Sequence, residues 1–320
     1  MFDTTNWLDS STGARLAFHQ QPATSDGRGV ILVLHGLADH SRRYRRFAEA
    51  MAAHGFHVYA PDHRGHGETT APGIPLGRFA LRDGERLVTA DVKAIRDLAA
   101  DAHPDLPIIL VGHSMGGLIA LNAAIDYPQA FDGIAVWNSN FNPGLAGRGA
   151  QAILLVERAL KGSDVPSTHL PKLTFGAWGK SIPGHRTDFD WLSHDQTEVD
   201  AYIADPLCGF DASVSLWLDI FEMSYRGPAL LDRLPADLPV NLVGGTDDPA
   251  TDGGRAIRWL ADRFQKRGMH NVETIIYPQT RHETLNDRVR DRATNAFAEW
   301  AKTLTSRCSD PSRDTRTQTE

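Results

Sequence analysis

The stretch Leu106-Pro107-Ile108-Ile109-Leu110-Val111, then Gly112-His113-Ser114-Met115-Gly116, then Gly117-Leu118-Ile119-Ala120-Leu121-Asn122-Ala123-Ala124 reads as a strand, a sharp turn and a helix. A continuous apolar run of this length suits a buried strand. The turn carries one serine, Ser114. A serine hydroxyl is a poor nucleophile until something exposes it and removes its proton. A strained strand-to-helix turn does the exposing, and glycines flank it because a Cβ there would collide with the neighbouring strand or helix. The helix starts beside the serine, so its free N–H groups and positive dipole end face any oxyanion formed there.

Upstream, Val30-Ile31-Leu32-Val33-Leu34-His35-Gly36-Leu37 is a second buried strand running into a His-Gly turn. Downstream, Asn241-Leu242-Val243-Gly244-Gly245-Thr246-Asp247-Asp248-Pro249 brings an acid after a strand, and Ile275-Ile276-Tyr277-Pro278 precedes Arg281-His282-Glu283. Between these landmarks, strand and helix alternate. A hairpin is expected over 5–20, turning at Ser11-Thr12-Gly13. Strands follow at 30–34, 56–60, 107–111 and 131–137, with helices at about 43–54, 85–103 and from Met115. Val88, Val92, Ile95 and Ala99 share one face of the second helix, and Pro104 stops it. The repeated alternation implies an α/β fold: a mostly parallel sheet flanked by helices.

The alternation breaks between Phe141 and Leu234, a stretch too long for a loop in a compact domain. It reads as an inserted, mainly helical cap over the serine, with short helical pieces at 151–160 and 211–225. Strands at 239–243 and 272–277 and helices at 252–267 and 286–304 complete the pattern. The expected organisation is a core of residues 1–140 and 235–305, a cap of 141–234, and a disordered polar tail over 306–320.

The chain has 320 residues, 41% of them hydrophobic, and a net charge of -7. That length gives ample core, and the mild acidity argues against nucleic acid as a partner. Cys208 and Cys308 lie far apart, with no metal-type spacing, which fits a reducing, cytoplasmic setting. The N-terminal residues lack the pattern of a signal peptide, and no stretch approaches the ~18 apolar residues of a membrane span.

Ser114 needs a base, and His282 follows the last core strand, on the carboxyl edge where a parallel sheet gathers its functional ends. His113, inside the turn, is expected to point away from Ser114. The imidazole needs an acid to hold its tautomer. Asp248 is favoured because Pro249 fixes a turn that holds it; Asp247 is the alternative. The strand before the cap ends Val136-Trp137-Asn138-Ser139-Asn140, with no carboxylate to offer. The N–H groups of Leu37 and Met115 are the expected oxyanion donors. His63 and His66 lack the helical context of a metal pair, and neither metal nor cofactor is expected. Trp178, Trp191 and Trp217 either line an acyl tunnel or form plain core of the cap.

Three segments carry a family resemblance: Leu34-His35-Gly36-Leu37-Ala38-Asp39-His40-Ser41-Arg42-Arg43-Tyr44, Asp62-His63-Arg64-Gly65-His66-Gly67 and Gly112-His113-Ser114-Met115-Gly116-Gly117. Together they resemble the monoacylglycerol lipase and lysophospholipase branch of the α/β-hydrolases, a serine aminopeptidase-type domain. The order Ser, Asp, His along the chain agrees. The resemblance spans about residues 10–303. It implies an α/β-hydrolase fold, Ser114 as nucleophile, Asp248 as acid, His282 as base, and Leu37 and Met115 as oxyanion donors. It also implies hydrolysis of an amphiphilic ester with one acyl chain, with transient membrane or micelle contact through the cap. A proline-type aminopeptidase is the alternative; it would need cap acids such as Asp188, Asp190, Glu198, Asp200 or Asp219 to hold a substrate amine. A third reading is a non-catalytic binding protein on this fold.

Overall fold

The computed structural model describes residues 2–308. Its centre is an eight-stranded sheet. The strands are β1 (Asn6–Asp9), β2 (Arg15–Gln21), β3 (Gly29–Leu34), β4 (Phe56–Pro61), β5 (Ile108–His113), β6 (Gly133–Trp137), β7 (Val240–Gly245) and β8 (Val272–Tyr277). Their order is β1-β2-β4-β3-β5-β6-β7-β8. β1 and β2 form an antiparallel hairpin whose turn uses Gly13 at a φ of 83°. β2 joins β4 antiparallel, and every pairing from β4 to β8 is parallel.

Strand side chains alternate between faces, so a buried parallel sheet feeds two cores. Leu32, Leu34, Leu110, Val136 and Leu242 face one of them. There they meet α2 (Gly84–Ala102), α3 (Met115–Asp126) and α9 (Arg255–Lys266). Ile31, Val33, Val111, Trp137 and Val243 face the other, against α1 (Arg45–Ala53) and α10 (Arg290–Cys308). Residues Met115 to Ile125 of α3 are all buried, because the helix is apolar all round and is wrapped by the sheet and by cap elements.

Five helices form the insertion: α4 (Gly144–Lys161), α5 (Leu170–Leu173), α6 (Phe175–Ser181), α7 (Gln196–Ala204) and α8 (Val214–Ala229). One of them is longer than the short piece expected, and another is shifted along the chain. α4 starts seven residues before the expected 151, because Gly144 to Ala150 continue the helix, while α8 starts three residues after the expected 211 and runs to Ala229, with Pro228 in its last turn. Leu216 and Met223 of α8 join the main core. The final helix also reaches Cys308, so a tail beginning at 306 is corrected by three residues; the expected disorder beyond it lies outside the described residues. Among the described residues, no helix is long and apolar enough to cross a membrane.

Candidate active site

β5 ends, the chain turns through Ser114, and α3 begins. Ser114 sits at φ 54°, ψ -118°, a conformation non-glycine residues rarely adopt. The flanking glycines make this possible. A Cβ on Gly112 would lie 2.1 Å from the Gly116 carbonyl oxygen, and one on Gly116 would lie 2.2 Å from the Leu34 carbonyl oxygen. The strain lifts the serine side chain above the carboxyl edge of the sheet.

His282 arrives from the loop after β8. The Ser114 hydroxyl donates to His282 Nε2 at 2.9 Å. On the far side of the ring, His282 Nδ1–H donates to Asp248 Oδ1 and Oδ2 at 3.0 and 3.1 Å. Asp248 is fully buried after β7. Burial opposes its ionisation, but the adjacent His282, with hydrogen bonds from His282, Asn138 and Thr251, holds its carboxyl below the usual range. Asp248 Oδ1 also accepts the N–H of Ala250, at 2.9 Å, from the turn that begins at Pro249. Asp247 points elsewhere: it is half-exposed, and its Oδ2 lies 3.3 Å from His194. A hydroxyl, an imidazole and a carboxylate in line can pass a proton from the serine to the ring.

Two neighbours of this relay had no advance sign as site residues. Asn138, at the end of β6, donates Nδ2–H to Asp248 Oδ2 at 3.1 Å and accepts from the Thr284 hydroxyl at 2.8 Å. It is an uncharged residue at φ 51° where only a carboxylate had been sought. The other neighbour is His113, whose ring lies beside the base. Its Nε2–H donates to the His282 carbonyl at 3.0 Å, and its ring lies 4.9 Å from that of His282. Burial, helped by the proximity of His282, pushes its pKa down to about 4, so it is neutral at pH 7.

The cap supplies part of the frame. Glu283 N–H donates to the Leu192 carbonyl at 2.8 Å, and Arg281 reaches the carbonyls of Asp190 and Ser193 at 2.6 and 2.9 Å. Among the described residues, neither Leu37 N–H nor Met115 N–H has an acceptor, and both residues border the space beside Ser114. Arg43 pairs with both Glu283 oxygens at 2.7 Å and with Asp39 at 3.0 Å.

A cavity of about 550 Å³ opens above Ser114. Leu118, Ile153, Leu170, Phe175, Ile220 and Phe221 give it an apolar wall, and Trp178, Trp191 and Trp217 line it too. The same tryptophans pack as core: Trp191 stacks on Phe175 at 5.6 Å, and Trp217 belongs to the main cluster. His63 and His66 pack with tilted rings around His35 and stay buried, away from this cavity's lining.

Residues 25–289 match the family described as "Serine aminopeptidase, S33". The chain belongs to this family. It is 28% identical over 289 residues to a monoacylglycerol lipase of Mycolicibacterium smegmatis, covering 90% of this chain and 93% of the relative. It is 30% identical over 253 residues to the human monoglyceride lipase, covering 77% and 73%. A thermostable carboxyl esterase from Bacillus coagulans, solved in complex with glycerol, superposes with a TM-score of 0.86 at 24% identity, covering 94% of this chain and 98% of that one. This last likeness establishes the α/β-hydrolase fold.

Proposed function

We propose that the chain is a carboxylic-ester hydrolase working through an acyl-enzyme on Ser114. The observation that carries this reading is the line from Ser114 Oγ to His282 Nε2 at 2.9 Å and on to buried Asp248, at the floor of an apolar cavity. His282 takes the serine proton as Oγ attacks the acyl carbon. The N–H groups of Leu37 and Met115 hold the oxyanion, and Asp248 keeps Nδ1 protonated and stabilises the imidazolium. The imidazolium returns its proton to the leaving alkoxide. Water, activated by the same ring, then releases the acid. No step in this cycle calls for a metal or cofactor.

The substrate class follows from the cavity. Its size is that of pockets enclosing one small ligand, and its wall suits one acyl chain. Each buried methylene contributes about 0.8 kcal/mol, so affinity rises with chain length until the space is filled. Monoacylglycerols or lysophospholipids fit this description, and the names of two relatives, a monoacylglycerol lipase and a monoglyceride lipase, support the first of these. Residues 141–234 act as the cap over a core of 1–140 and 235–305. Leu145, Leu155, Val156 and Leu160 on α4, with Leu173, are exposed, and this face touches a micelle or bilayer while substrate enters.

An aminopeptidase would need a free carboxylate in the cavity to hold the substrate amine. Asp188, Asp190, Glu198, Asp200 and Asp219 all lie off the cavity lining. The acids that do line it are committed elsewhere: Asp39 and Glu283 to Arg43, and Asp252 to Arg255. The test is a rate comparison on mono-, di- and triacylglycerols of one chain length, a lysophospholipid and a proline amide. Monoacylglycerol or lysophospholipid cleaved well ahead of triacylglycerol supports the reading. Equal rates on all three glycerides point to a general lipase, and cleavage of the amide alone points to a peptidase.

A further inference from the structure

Asp205-Pro206-Leu207-Cys208 forms a tight turn directly after α7. Cys208 N–H donates to the Asp205 carbonyl at 3.0 Å, and Leu207 N–H donates to Asp205 Oδ1 at 2.9 Å. Facing the turn is His40, from the core loop that also carries Leu37. Its Nε2 meets Asp205 Oδ2 at 2.9 Å. One nitrogen, one carboxylate oxygen and one sulfur lie within 4.8 Å of one another. None of these three residues lines the substrate cavity.

The donor set is informative. Imidazole, carboxylate and thiolate together suit zinc and its softer congeners, whereas magnesium and calcium prefer oxygen alone. The two-residue gap between Asp205 and Cys208 falls in the spacing of turn-borne zinc ligands. His40 is buried, but the Asp205 side chain is 30% exposed, which leaves a way in and room for a water as fourth ligand. The groups facing Cys208 are Asp39, Asp205, Glu283 and Arg43, so three carboxylates stand against one guanidinium and the local field favours a cation. Tyr202 packs on the same side with a neutral phenol, its ionisation opposed by burial. Both halves are held before any ion arrives. His40 N–H donates to Asp39 Oδ1 at 2.8 Å, and Gly209 N–H donates to the Ala38 carbonyl at 3.0 Å.

We propose that His40, Asp205 and Cys208 bind one divalent cation of the zinc class, fastening the 205–210 turn of the cap to the core loop at 37–40. On binding, the Cys208 thiol loses its proton to solvent and a sulfur–metal bond forms. The His40–Asp205 hydrogen bond gives way to coordination by each partner, with the neutral imidazole carrying its proton on Nδ1 and Nε2 free to ligate, and no group changes oxidation state. A free thiol is largely protonated at neutral pH, so the proton must be displaced. Apparent affinity therefore rises about tenfold per pH unit. The site is separate from the relay at Ser114, and the inference does not depend on the substrate assigned above.

The test uses the full chain after treatment with a chelator. Zn²⁺ is titrated calorimetrically, and Cd²⁺ is followed through its ultraviolet thiolate charge-transfer band. One ion per chain is expected, with a higher melting temperature in its presence. Cys208→Ser should lose the band and at least about 100-fold in Zn²⁺ affinity, and should still hydrolyse a p-nitrophenyl ester in EDTA at the parent rate. Cys308→Ser should keep both band and affinity. Asp205→Asn should keep the thiol and the band but bind about 10- to 100-fold more weakly. Absence of saturable one-ion binding would overturn the proposal, as would parent-like binding by Cys208→Ser or loss of the band in Cys308→Ser. If Cys208→Ser does not fold, pH-independent affinity in the parent, or unaltered affinity in Asp205→Asn, overturns it instead.

Discussion

Asn138 donates its side-chain N–H to Asp248 Oδ2 across 3.1 Å, joining the end of β6 to the end of β7. Asp248 uses that same oxygen to accept from Thr251 at 2.8 Å, while the Asn138 carbonyl oxygen holds Thr284 at 2.8 Å. The amide therefore fixes the acid and, through Thr284, the loop bearing His282. Asn138→Ala takes one of three donors from Asp248 Oδ2 and leaves the buried Thr284 hydroxyl without this acceptor, a loss of ~1–3 kcal/mol. If part of that loss falls on the transition state, kcat drops roughly tenfold with little change in KM. Steady-state kinetics on a p-nitrophenyl ester, beside a thermal melt, checks this; an unchanged kcat would mean that Asp248 needs no such partner.

The two adjacent aspartates give a sharper comparison. Asp248→Asn removes the charge that keeps His282 Nδ1 protonated, and the equivalent change in a related relay costs about 10⁴-fold. Asp247→Asn removes only a half-exposed contact to His194 and should stay within a few-fold of the parent. Parallel kcat/KM measurements decide it, and the reverse order would make Asp247 the acid.

Much of this was legible in the chain. The apolar runs, the glycine-flanked Ser114 and the order Ser114, Asp248, His282 are local signals, and each strand found lies within a few residues of where its apolar run placed it. What sequence did not reveal depends on contacts between distant segments. Asn138 carries no charge to attract notice, and its role exists only because β6 and β7 are neighbours in the sheet. The orientation of His113 is set by the His282 carbonyl, 169 residues away. α4 exceeds its expected length because tertiary burial of residues such as Leu154 overrides weak local propensity around Gly144, Gly147 and Gly149, and α8 is shifted along the chain so that Pro228 falls in its last turn.

Acid should destabilise the fold earlier than its carboxylates alone would. His35, His63, His66 and His113 are buried, and burial lowers all four pKa values, to about 3 for His66 and about 4 for His113. In the unfolded chain these rings titrate near 6.5. Below that pH the unfolded state binds more protons, so stability falls with pH, by about 2 kcal/mol per fully shifted histidine at pH 5. Asp219 acts in the opposite sense: burial, then Glu85, pushes it up to about 8, and its protonation favours the folded state as pH drops. One carboxyl against four imidazoles leaves a net loss on the order of a few kcal/mol between pH 7 and 5. Urea midpoints at pH 7, 6 and 5 measure it; a flat profile would show that these rings are protonated without opening the fold.

The turn at Ser114 predicts a steric result. Gly116→Ala places a methyl 2.2 Å from the Leu34 carbonyl oxygen, against backbone that cannot swing aside. It should lower stability by roughly 1–3 kcal/mol and activity by far more than that loss of folded protein explains. Gly149→Ala, where nothing lies within 4 Å, is the control and should be neutral or slightly stabilising. Melting curves and specific activity of the two variants test it, and equal effects would remove the steric argument.

The central claim is that Ser114 carries the acyl group, and intact-protein mass spectrometry tests it directly. The protein is treated with a fluorophosphonate, or quenched by acid during turnover of a p-nitrophenyl ester, and the adduct is located by peptide mapping. One adduct per chain on Ser114, absent from a folded Ser114→Ala variant whose hydrolysis has fallen by about 10³-fold or more, is the predicted result. An unmodified Ser114, or an equal adduct and more than about a tenth of the parent activity in Ser114→Ala, would contradict it.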